Sequence, residues 1–268
     1  MSSKEVILEL KDHVATISLN RPKHGNSLTL SMIKEFLSIF QELEANPSIS
    51  IIVITGKGKY FCTGMDLQQT ESTTNNKDEI DSIEKSYEIG TLFYDTIKSS
   101  TKTVISKING PALGGGIGLV FVSDIRICNE DKVYFCFSEI KRGLIPAIIS
   151  QFIVAELGTF KTRQYMLTGE RISAKQARED GFISTLAGGD NDLNEKVEEY
   201  IETLLSSAPK VMGKIKKLVQ VLNDTEIHNK KRNFIKEQFL EMMKSEEAIY
   251  GIEAYRMKQK PNWYKSKL

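Results

Sequence analysis

Glu139 is the side chain of this sequence best suited to moving a proton. It stands in the largely apolar segment 135–147, between aromatic residues and a turn marked by Gly143 and Pro146. Apolar surroundings disfavour the charged carboxylate and raise its pKa towards neutrality, where a carboxyl group both accepts and donates a proton. Lys141 and Arg142 follow closely, so an ordinary solvated glutamate explains this segment, taken alone, equally well.

Two glycine-containing segments have the composition of an anion-binding turn, and each follows an apolar strand. Residues 61–67 (FCTGMDL) follow the strand 51–54, and residues 109–118 (NGPALGGGIG) follow the strand 104–108. Glycines permit close backbone approach, and glycines that open a helix leave N–H groups free to face negative charge. Their spacing matches neither a P-loop nor a dinucleotide-binding motif. Tight packing of a helix on a strand is the competing interpretation.

Other reactive side chains form no recognisable pattern. The three histidines are scattered without the spacing of metal ligands, and the three cysteines contain no CxxC pair. Neither Cys62 nor Cys136, the cysteines nearest the glycine and glutamate segments, has a histidine placed to activate it. We therefore expect neither a metal site nor a cysteine nucleophile.

The composition is that of a globular protein with little net charge. The 268 residues include 36 basic and 35 acidic side chains, a formal charge of +1, and 40% are hydrophobic. Such a balance provides no broad field for nucleic acid or an anionic membrane, and no apolar run approaches the ~18–20 residues of a membrane span. Residues 1–10 lack the apolar core of a signal peptide, and an odd number of cysteines favours a reduced, intracellular setting.

The elements that would position these residues alternate between strands and helices. Apolar patterns predict strands at 6–10, 14–19, 51–54, 103–108 and 124–128, helices at 28–43 and 82–97, and a further helix after the glycine triplet. The polar stretch 68–81 predicts a mobile loop, and from 149 onward the pattern is mainly helical. The order predicts parallel βαβ units. We expect a β/α core over residues 1–195 and a helical region over 196–268.

Five segments together resemble the crotonase, or enoyl-CoA hydratase/isomerase, family in order and spacing. They are residues 20–28, 61–67, 109–118, 138–146 and 167–181. The resemblance covers nearly the whole chain and implies an α/β fold, a spiral of ββα units with a C-terminal helical trimerisation region. It also implies an acyl-CoA substrate, no cofactor apart from the coenzyme A of that substrate, and a homotrimer or homohexamer. Neither nucleic acid nor membrane is an expected partner.

The resemblance assigns a role to each motif. The family's oxyanion hole would consist here of the backbone N–H groups of Met65 and Gly115, which would hold the thioester carbonyl oxygen as it becomes an enolate. Glu139 would be the catalytic carboxyl group. The substrate-binding residues implied by the same motifs are Cys62, Gly64, Asp66, Leu67, Gly114, Gly116, Gly118, Ser138 and Pro146, with Arg21 and Lys23 as candidate partners of the CoA phosphates.

The chain departs from the family's pattern at Gly118. Hydratases of the family usually carry a glutamate at this position and a second glutamate at the position of Glu139. A single carboxylate suffices for a Δ3,Δ2-enoyl-CoA isomerase, which returns the α-side proton to the γ carbon. Segments 114–119 and 135–150 resemble instead a methylglutaconyl-CoA hydratase-like branch that also lacks the first glutamate.

We therefore expect an enoyl-CoA hydratase or dehydratase that acts on a short or branched, 3-methylglutaconyl-like 2-enoyl thioester. The isomerase of fatty acid oxidation is the alternative, and a catalytically inactive crotonase-fold binding or scaffold protein is an alternative of another class. The terminal Ser266-Lys267-Leu268 matches the peroxisomal S-K-L address, which suits acyl-CoA chemistry. We expect a peroxisomal location, or a cytoplasmic one if the source is bacterial.

Overall fold

A six-stranded sheet lies at the centre of the computed structural model, which describes residues 4–67, 77–223 and 228–259. Its strands are β1 (Val6–Lys11), β2 (Val14–Leu19), β3 (Ile51–Gly56), β4 (Thr103–Ile108), β6 (Ile125–Asn129) and β9 (Thr185–Ala187), in the spatial order β1-β2-β3-β4-β6-β9. The β1–β2 hairpin is antiparallel, and every later pairing in this sheet is parallel. The predicted βαβ arrangement is therefore confirmed.

A second sheet of three short strands lies beside the first. It consists of β5 (Ala112–Leu113), β7 (Tyr134–Cys136) and β8 (Ile172–Ser173), in the order β5-β7-β8. Strand β5 directly precedes the glycine triplet, and β7 directly precedes the segment that carries Glu139. Their parallel pairing, with Leu113 opposite Cys136, brings these two segments together.

Ten helices cover the sheets in the described part of the chain. They are α1 (Leu30–Ala45), α2 (Lys77–Lys98), α3 (Gly115–Phe121), α4 (Ala147–Leu157), α5 (Thr159–Thr168), α6 (Ala174–Glu179), α7 (Asp190–Leu205), α8 (Pro209–Asn223), α9 (His228–Met243) and α10 (Glu246–Arg256). Two short 3-10 helices span Pro22–His24 and Ser138–Arg142. None of the described helices combines the length and hydropathy that a membrane crossing requires.

The core explains why these segments form these elements. The β-branched run of β3 is buried along its whole length, as a central strand of a covered parallel sheet must be. Helix α1 buries Phe36 and Phe40 on one face, and the hydroxyl of Thr29 caps its N-terminus by accepting from the Met32 N–H. These contacts fix the strand ends from which the glycine segments extend.

The predicted strands and helices agree with the structure, which adds the short strands β5, β7, β8 and β9 and lengthens one helix. Residues 77–81 belong to α2, so the loop prediction is wrong there. Their sequence, KDEID, lacks the apolar periodicity from which a helix is predicted. Residues 68–76 lie outside the described part. The short strands β8 and β9 interrupt the region expected to be helical. Helix α7 contains the predicted boundary at 195/196, and the division of the chain into two regions stays a prediction. The S-K-L tripeptide lies outside the described residues.

Candidate active site

Two backbone N–H groups, those of Met65 and Gly115, face a common space. The Leu28 N–H donates to Gly64 O at 2.8 Å and the Asp66 N–H donates to Leu28 O at 3.0 Å, so the intervening N–H of Met65 points away from this bridge. Gly115 opens α3, where an N–H has no partner within the helix. A Cβ placed on Gly115 would lie 3.6 Å from the nitrogen of Met65. Neither N–H donates to a backbone oxygen of the described residues.

Glycine is required at two positions beside these donors. Gly64 has φ +87°, and a Cβ on it would lie 2.8 Å from the nitrogen of Gly115. Gly114 has φ +50°, in the left-handed region, and lies against the carboxyl group of Glu139. The glycines therefore allow a close approach between the two turns, which places the N–H groups of Met65 and Gly115 near each other.

Glu139 sits in the first turn of the 3-10 helix Ser138–Arg142, directly after β7. Its Oε1 lies 3.1 Å from the position that a Cβ on Gly114 would take, beside the two free N–H groups. Its Oε2 is buried and has no hydrogen-bond partner among the described residues. Burial raises the pKa of Glu139 to about 7, although its own backbone N–H and the positive charge of Arg142 oppose the rise. At neutral pH this carboxyl group is therefore poised to accept or donate a proton.

Tyr94, on α2, is a residue of this site that sequence reasoning missed. Its hydroxyl donates to Gly115 O at 2.7 Å, and burial raises the pKa of this phenol well above its usual value. A Cβ placed on Gly118 would lie 2.7 Å from Tyr94 Cε1 and 2.5 Å from Ile149 Cγ2. The tyrosine ring therefore occupies the space into which a glutamate at position 118 would project. In the sequence, the only signal for Tyr94 would have been the pairing of this large aromatic residue with a glycine, Gly118, that lies 24 positions later.

The donors and Glu139 line one cavity of about 700 Å³. Ten of the predicted site residues line it: Lys23, Gly64, Met65, Asp66, Leu67, Gly114, Gly115, Ser138, Glu139 and Pro146. His24 and Tyr94 line it as well, and apolar side chains of α1, α4 and α9 complete its wall. The volume of the cavity suits a substrate larger than a small organic acid. Among its charged lining residues, Asp66 follows Gly64 closely and Glu139 lies against Gly114.

Three predicted binding residues lie behind the wall of this cavity. Gly116 packs against Cys62, because a Cβ on Gly116 would lie 2.2 Å from Cys62 O. Cys62 is fully buried, and burial raises the pKa of its thiol to about 12, so it offers neither a contact nor a nucleophile. Gly118 faces Tyr94 and Ile149 rather than the cavity. The expectation that Cys62, Gly116 and Gly118 contact substrate is corrected accordingly. Their packing allows α3 to approach its neighbours closely.

Arg21 also does not line the cavity. Its guanidinium pairs with Glu5 Oε1 at 3.0 Å and with Asp66 Oδ2 at 2.9 Å, and it donates to Ser27 O. These bonds tie the loop after β2 to the residue that follows Met65. The predicted contact of Arg21 with CoA phosphates is corrected accordingly: Arg21 holds the turn that contains Met65 and Asp66.

Known proteins resemble this chain over nearly its full length. Residues 9–266 match the family model described as Enoyl-CoA hydratase/isomerase. The enoyl-CoA hydratase ACTT6 of Alternaria alternata is 36% identical over 91% of this chain and 78% of that protein. The peroxisomal Delta(3,5)-Delta(2,4)-dienoyl-CoA isomerase of Arabidopsis thaliana is 27% identical over 92% of this chain and 91% of that protein.

A solved structure shows the same fold. The crystal structure of an enoyl-CoA hydratase from Mycobacterium avium superposes with a TM-score of 0.84 over 98% of this chain and 100% of that chain, at 24% identity. The predicted α/β crotonase fold is confirmed by this superposition. Together with the family model and the fungal relative, it leads to one assignment: the chain belongs to the enoyl-CoA hydratase/isomerase family of enzymes.

Proposed function

We propose that this enzyme reversibly adds water to a short or branched, 3-methylglutaconyl-like 2-enoyl-CoA, with Glu139 as its single acid–base group. The observation that carries the proposal is the buried Glu139 carboxyl group beside the N–H groups of Met65 and Gly115. In the described part of the chain its Oε2 has no hydrogen-bond partner, and neither N–H donates to a backbone oxygen. The family shown by the comparisons acts on enoyl-CoA thioesters, and the 36% identical relative bears the name enoyl-CoA hydratase.

One carboxylate is sufficient to complete the addition. Ionised Glu139 removes a proton from water as the water oxygen bonds to C3, and the C2=C3 electron pair moves through C1 onto the thioester oxygen. The N–H groups of Met65 and Gly115 stabilise this enolate, each by an amount on the order of 3 kcal/mol. Protonated Glu139 then gives the same proton to C2 and is ionised again. Both additions therefore occur on the face of the double bond that Glu139 occupies.

The same steps in reverse remove water. Ionised Glu139 takes the C2 proton, the enolate forms in the oxyanion hole, and the protonated carboxyl then gives its proton to the departing 3-hydroxyl. A pKa of about 7 suits both steps, because neither protonation state is strongly preferred at neutral pH. A tertiary 3-hydroxyl, as in a branched substrate, leaves more readily and favours this direction.

The kcat/KM for hydration is expected to rise with pH and to level off above about 7. The free enzyme must begin with Glu139 ionised, and its pKa is about 7, so at pH 5 the rate is expected to be about a hundredfold below the plateau. Since the pKa of Tyr94 is far above this range, the profile should show one ionisation. Initial rates between pH 5 and 9 measure it, and a bell-shaped profile would contradict a single acid–base group.

A Δ3,Δ2-enoyl-CoA isomerase is the second candidate, and the position of Tyr94 favours it. This ring fills the place of the other glutamate, which leaves Glu139 as the described carboxyl group beside the N–H groups of Met65 and Gly115, and an isomerase needs only one to move a proton from C2 to C4. The 27% identical Arabidopsis protein is named as a dienoyl-CoA isomerase. The two candidates share the oxyanion hole and Glu139 and differ in whether water reacts.

Purified enzyme incubated separately with 3-methylglutaconyl-CoA and with a 3-enoyl-CoA distinguishes the two candidates. The proposed hydratase is expected to incorporate ¹⁸O from labelled water at C3 of the first substrate, read by mass spectrometry. Conversion of only the 3-enoyl-CoA, without ¹⁸O, would overturn the proposal in favour of the isomerase.

Location and assembly are part of the same proposal. A peroxisomal location is supported by the S-K-L tripeptide and by the name of the Arabidopsis relative. Assembly into a trimer or hexamer is supported by large apolar side chains that are exposed on the described chain, among them Phe160 (74%), Leu167 (66%) and Val219 (61%).

A further inference from the structure

A second cavity, of about 280 Å³, adjoins the catalytic cavity. The two share five lining residues, namely Leu113, Tyr134, Ser138, Arg142 and Tyr255. Leu113 precedes Gly114, and Ser138 precedes Glu139, so the common wall lies immediately beside the reacting groups. A substituent on the acyl group therefore lies next to the second cavity when the acyl group is bound in the catalytic cavity.

Three cations, Lys141, Arg142 and Arg171, line the second cavity. None of them is within ion-pair distance of a carboxylate in the part of the chain that the structure describes. Their charges converge on the Cys136 thiol in the same cavity: burial raises the pKa of that thiol, and all three cations oppose the rise. Unpaired positive charge is thus concentrated around one small space.

The two guanidinium groups are held in place by aromatic rings. Arg142 lies 4.6 Å from the ring centre of Tyr255 and donates from Nη1 to Ser138 O at 2.9 Å, and Arg171 lies 4.5 Å from the ring centre of Tyr134. Stacking on a ring face leaves the N–H edge of a guanidinium available. Such an edge matches the two oxygens of a carboxylate, with little further ordering required on binding.

We propose that the second cavity binds the terminal carboxylate of a dicarboxylic acyl thioester, which makes this enzyme selective for an acyl group with a negatively charged far end. The proposal rests on the proposed function, because it places the double bond at Glu139. Arg142 follows Glu139 by three residues in a 3-10 helix, a separation of about 6 Å along its axis. A carboxylate two carbons beyond the double bond covers part of this distance, and the long side chain of Arg142 covers the remainder.

Other basic side chains are available for the phosphates of coenzyme A. Lys23 and His24 line the catalytic cavity but not the second cavity, and Lys141 and Arg171 line only the second cavity. The cations of the second cavity are therefore free to recognise the acyl group rather than the nucleotide part of the substrate.

The test compares two thioesters that differ only at the far end of the acyl chain. 3-Methylglutaconyl-CoA carries the carboxylate, and 3-methyl-2-pentenoyl-CoA carries a methyl group in its place. The wild-type kcat/KM is expected to favour the former by at least about tenfold, the effect of one charge-assisted hydrogen bond. Arg171→Gln and Lys141→Gln should lower this ratio towards one, mainly through the KM of the dicarboxylic substrate. Arg171→Lys should retain part of it, and the exposed Arg163→Gln on α5 should leave it unchanged.

The outcomes separate the subsite from the reaction. Hydration of both thioesters by the wild type with a ratio near one would overturn the subsite and leave the proposed function standing, whether or not any variant folds. If neither thioester is hydrated, the proposed function is overturned. In that case calorimetric binding of both thioesters to Glu139→Gln still decides the subsite: tighter binding of the dicarboxylic one supports it, and equal dissociation constants refute it.

Discussion

Replacing Glu139 by glutamine is expected to lower kcat by at least about a thousandfold and, at the same time, to make the protein more stable above neutral pH. The loss of rate follows because both proton transfers use this one carboxyl group, and a single general acid–base group contributes on the order of 10² to 10⁴ in rate. The amide has nearly the same shape, and the N–H groups of Met65 and Gly115 are untouched. Substrate binding should therefore change little, so kcat and kcat/KM fall together.

The gain in stability follows from the raised pKa of Glu139. Burial moves this pKa from 4.5 to about 7, so folding disfavours the ionised carboxylate. The contribution of the group to stability is greatest below pH 4.5, declines as the pH rises from 4.5 to 7, and is lower by about 3 kcal/mol above that. Glutamine has no charge to bury. Urea unfolding is therefore expected to show the variant more stable than the wild type at pH 8, with the difference shrinking towards pH 5.

A matched control separates this effect from a general loss of negative charge. Glu195, exposed on α7, has the same side chain and does not line the cavity, and Glu195→Gln should change neither kcat nor the stability at pH 8. Residual activity of the Glu139 variant above about one tenth of the wild-type value would show that another group moves the protons. A variant that is less stable than the wild type at pH 8 would show that the carboxylate is well solvated in the fold.

The backbone part of the site could be predicted from the sequence because it depends on local rules. Gly64 and Gly114 carry a conformation that glycine favours, and each follows a strand whose β-branched run marks it as buried. The apolar neighbours of Glu139 indicate desolvation of its carboxyl group, but they leave a solvated glutamate equally possible, and only the family resemblance assigns it the catalytic role. Met65, Gly115 and Glu139, which the motifs assign to one site, line one cavity in the structure.

Side-chain partners distant in sequence could not be predicted in the same way. Arg21 lies next to a loop that borders the cavity, yet Glu5 and Asp66 hold it, and nothing in the local pattern indicates either pairing. Cys62 and Gly116 belong to motifs that line the cavity, but the approach of α3 turns both away from it. Tyr94 belongs to a helix predicted correctly, whereas its contact with Gly118 depends on how α2 packs over α3. The relative position of two packed helices is determined by the whole core, so it cannot be predicted from the sequence of α2 or of α3 alone.

Introducing the family's second glutamate by Gly118→Glu is expected to destabilise the protein by about 3–5 kcal/mol and not to improve hydration. The first added atom would already lie 2.5 Å from Ile149 and 2.7 Å from Tyr94, and the carboxyl group would follow between these buried, uncharged side chains. Overpacking costs about 1–3 kcal/mol and an unpaired buried charge several more. Gly118→Ala should show the overpacking part alone. Gly188→Ala, at a glycine with ordinary φ and no crowding neighbour, should be close to neutral.

A double-mutant cycle with Tyr94→Ala shows whether the tyrosine is what excludes the glutamate. Tyr94→Ala alone removes a buried ring and should cost about 3–5 kcal/mol. If the two side chains compete for one volume, the cost of the double variant falls below the sum of the single costs by about 2 kcal/mol, because the glutamate fills the space that the ring leaves. Urea unfolding of the four proteins measures this coupling, and hydration rates of the double variant report whether a second carboxyl assists. Strictly additive costs would show that Ile149 and the helix backbone, rather than Tyr94, keep position 118 a glycine.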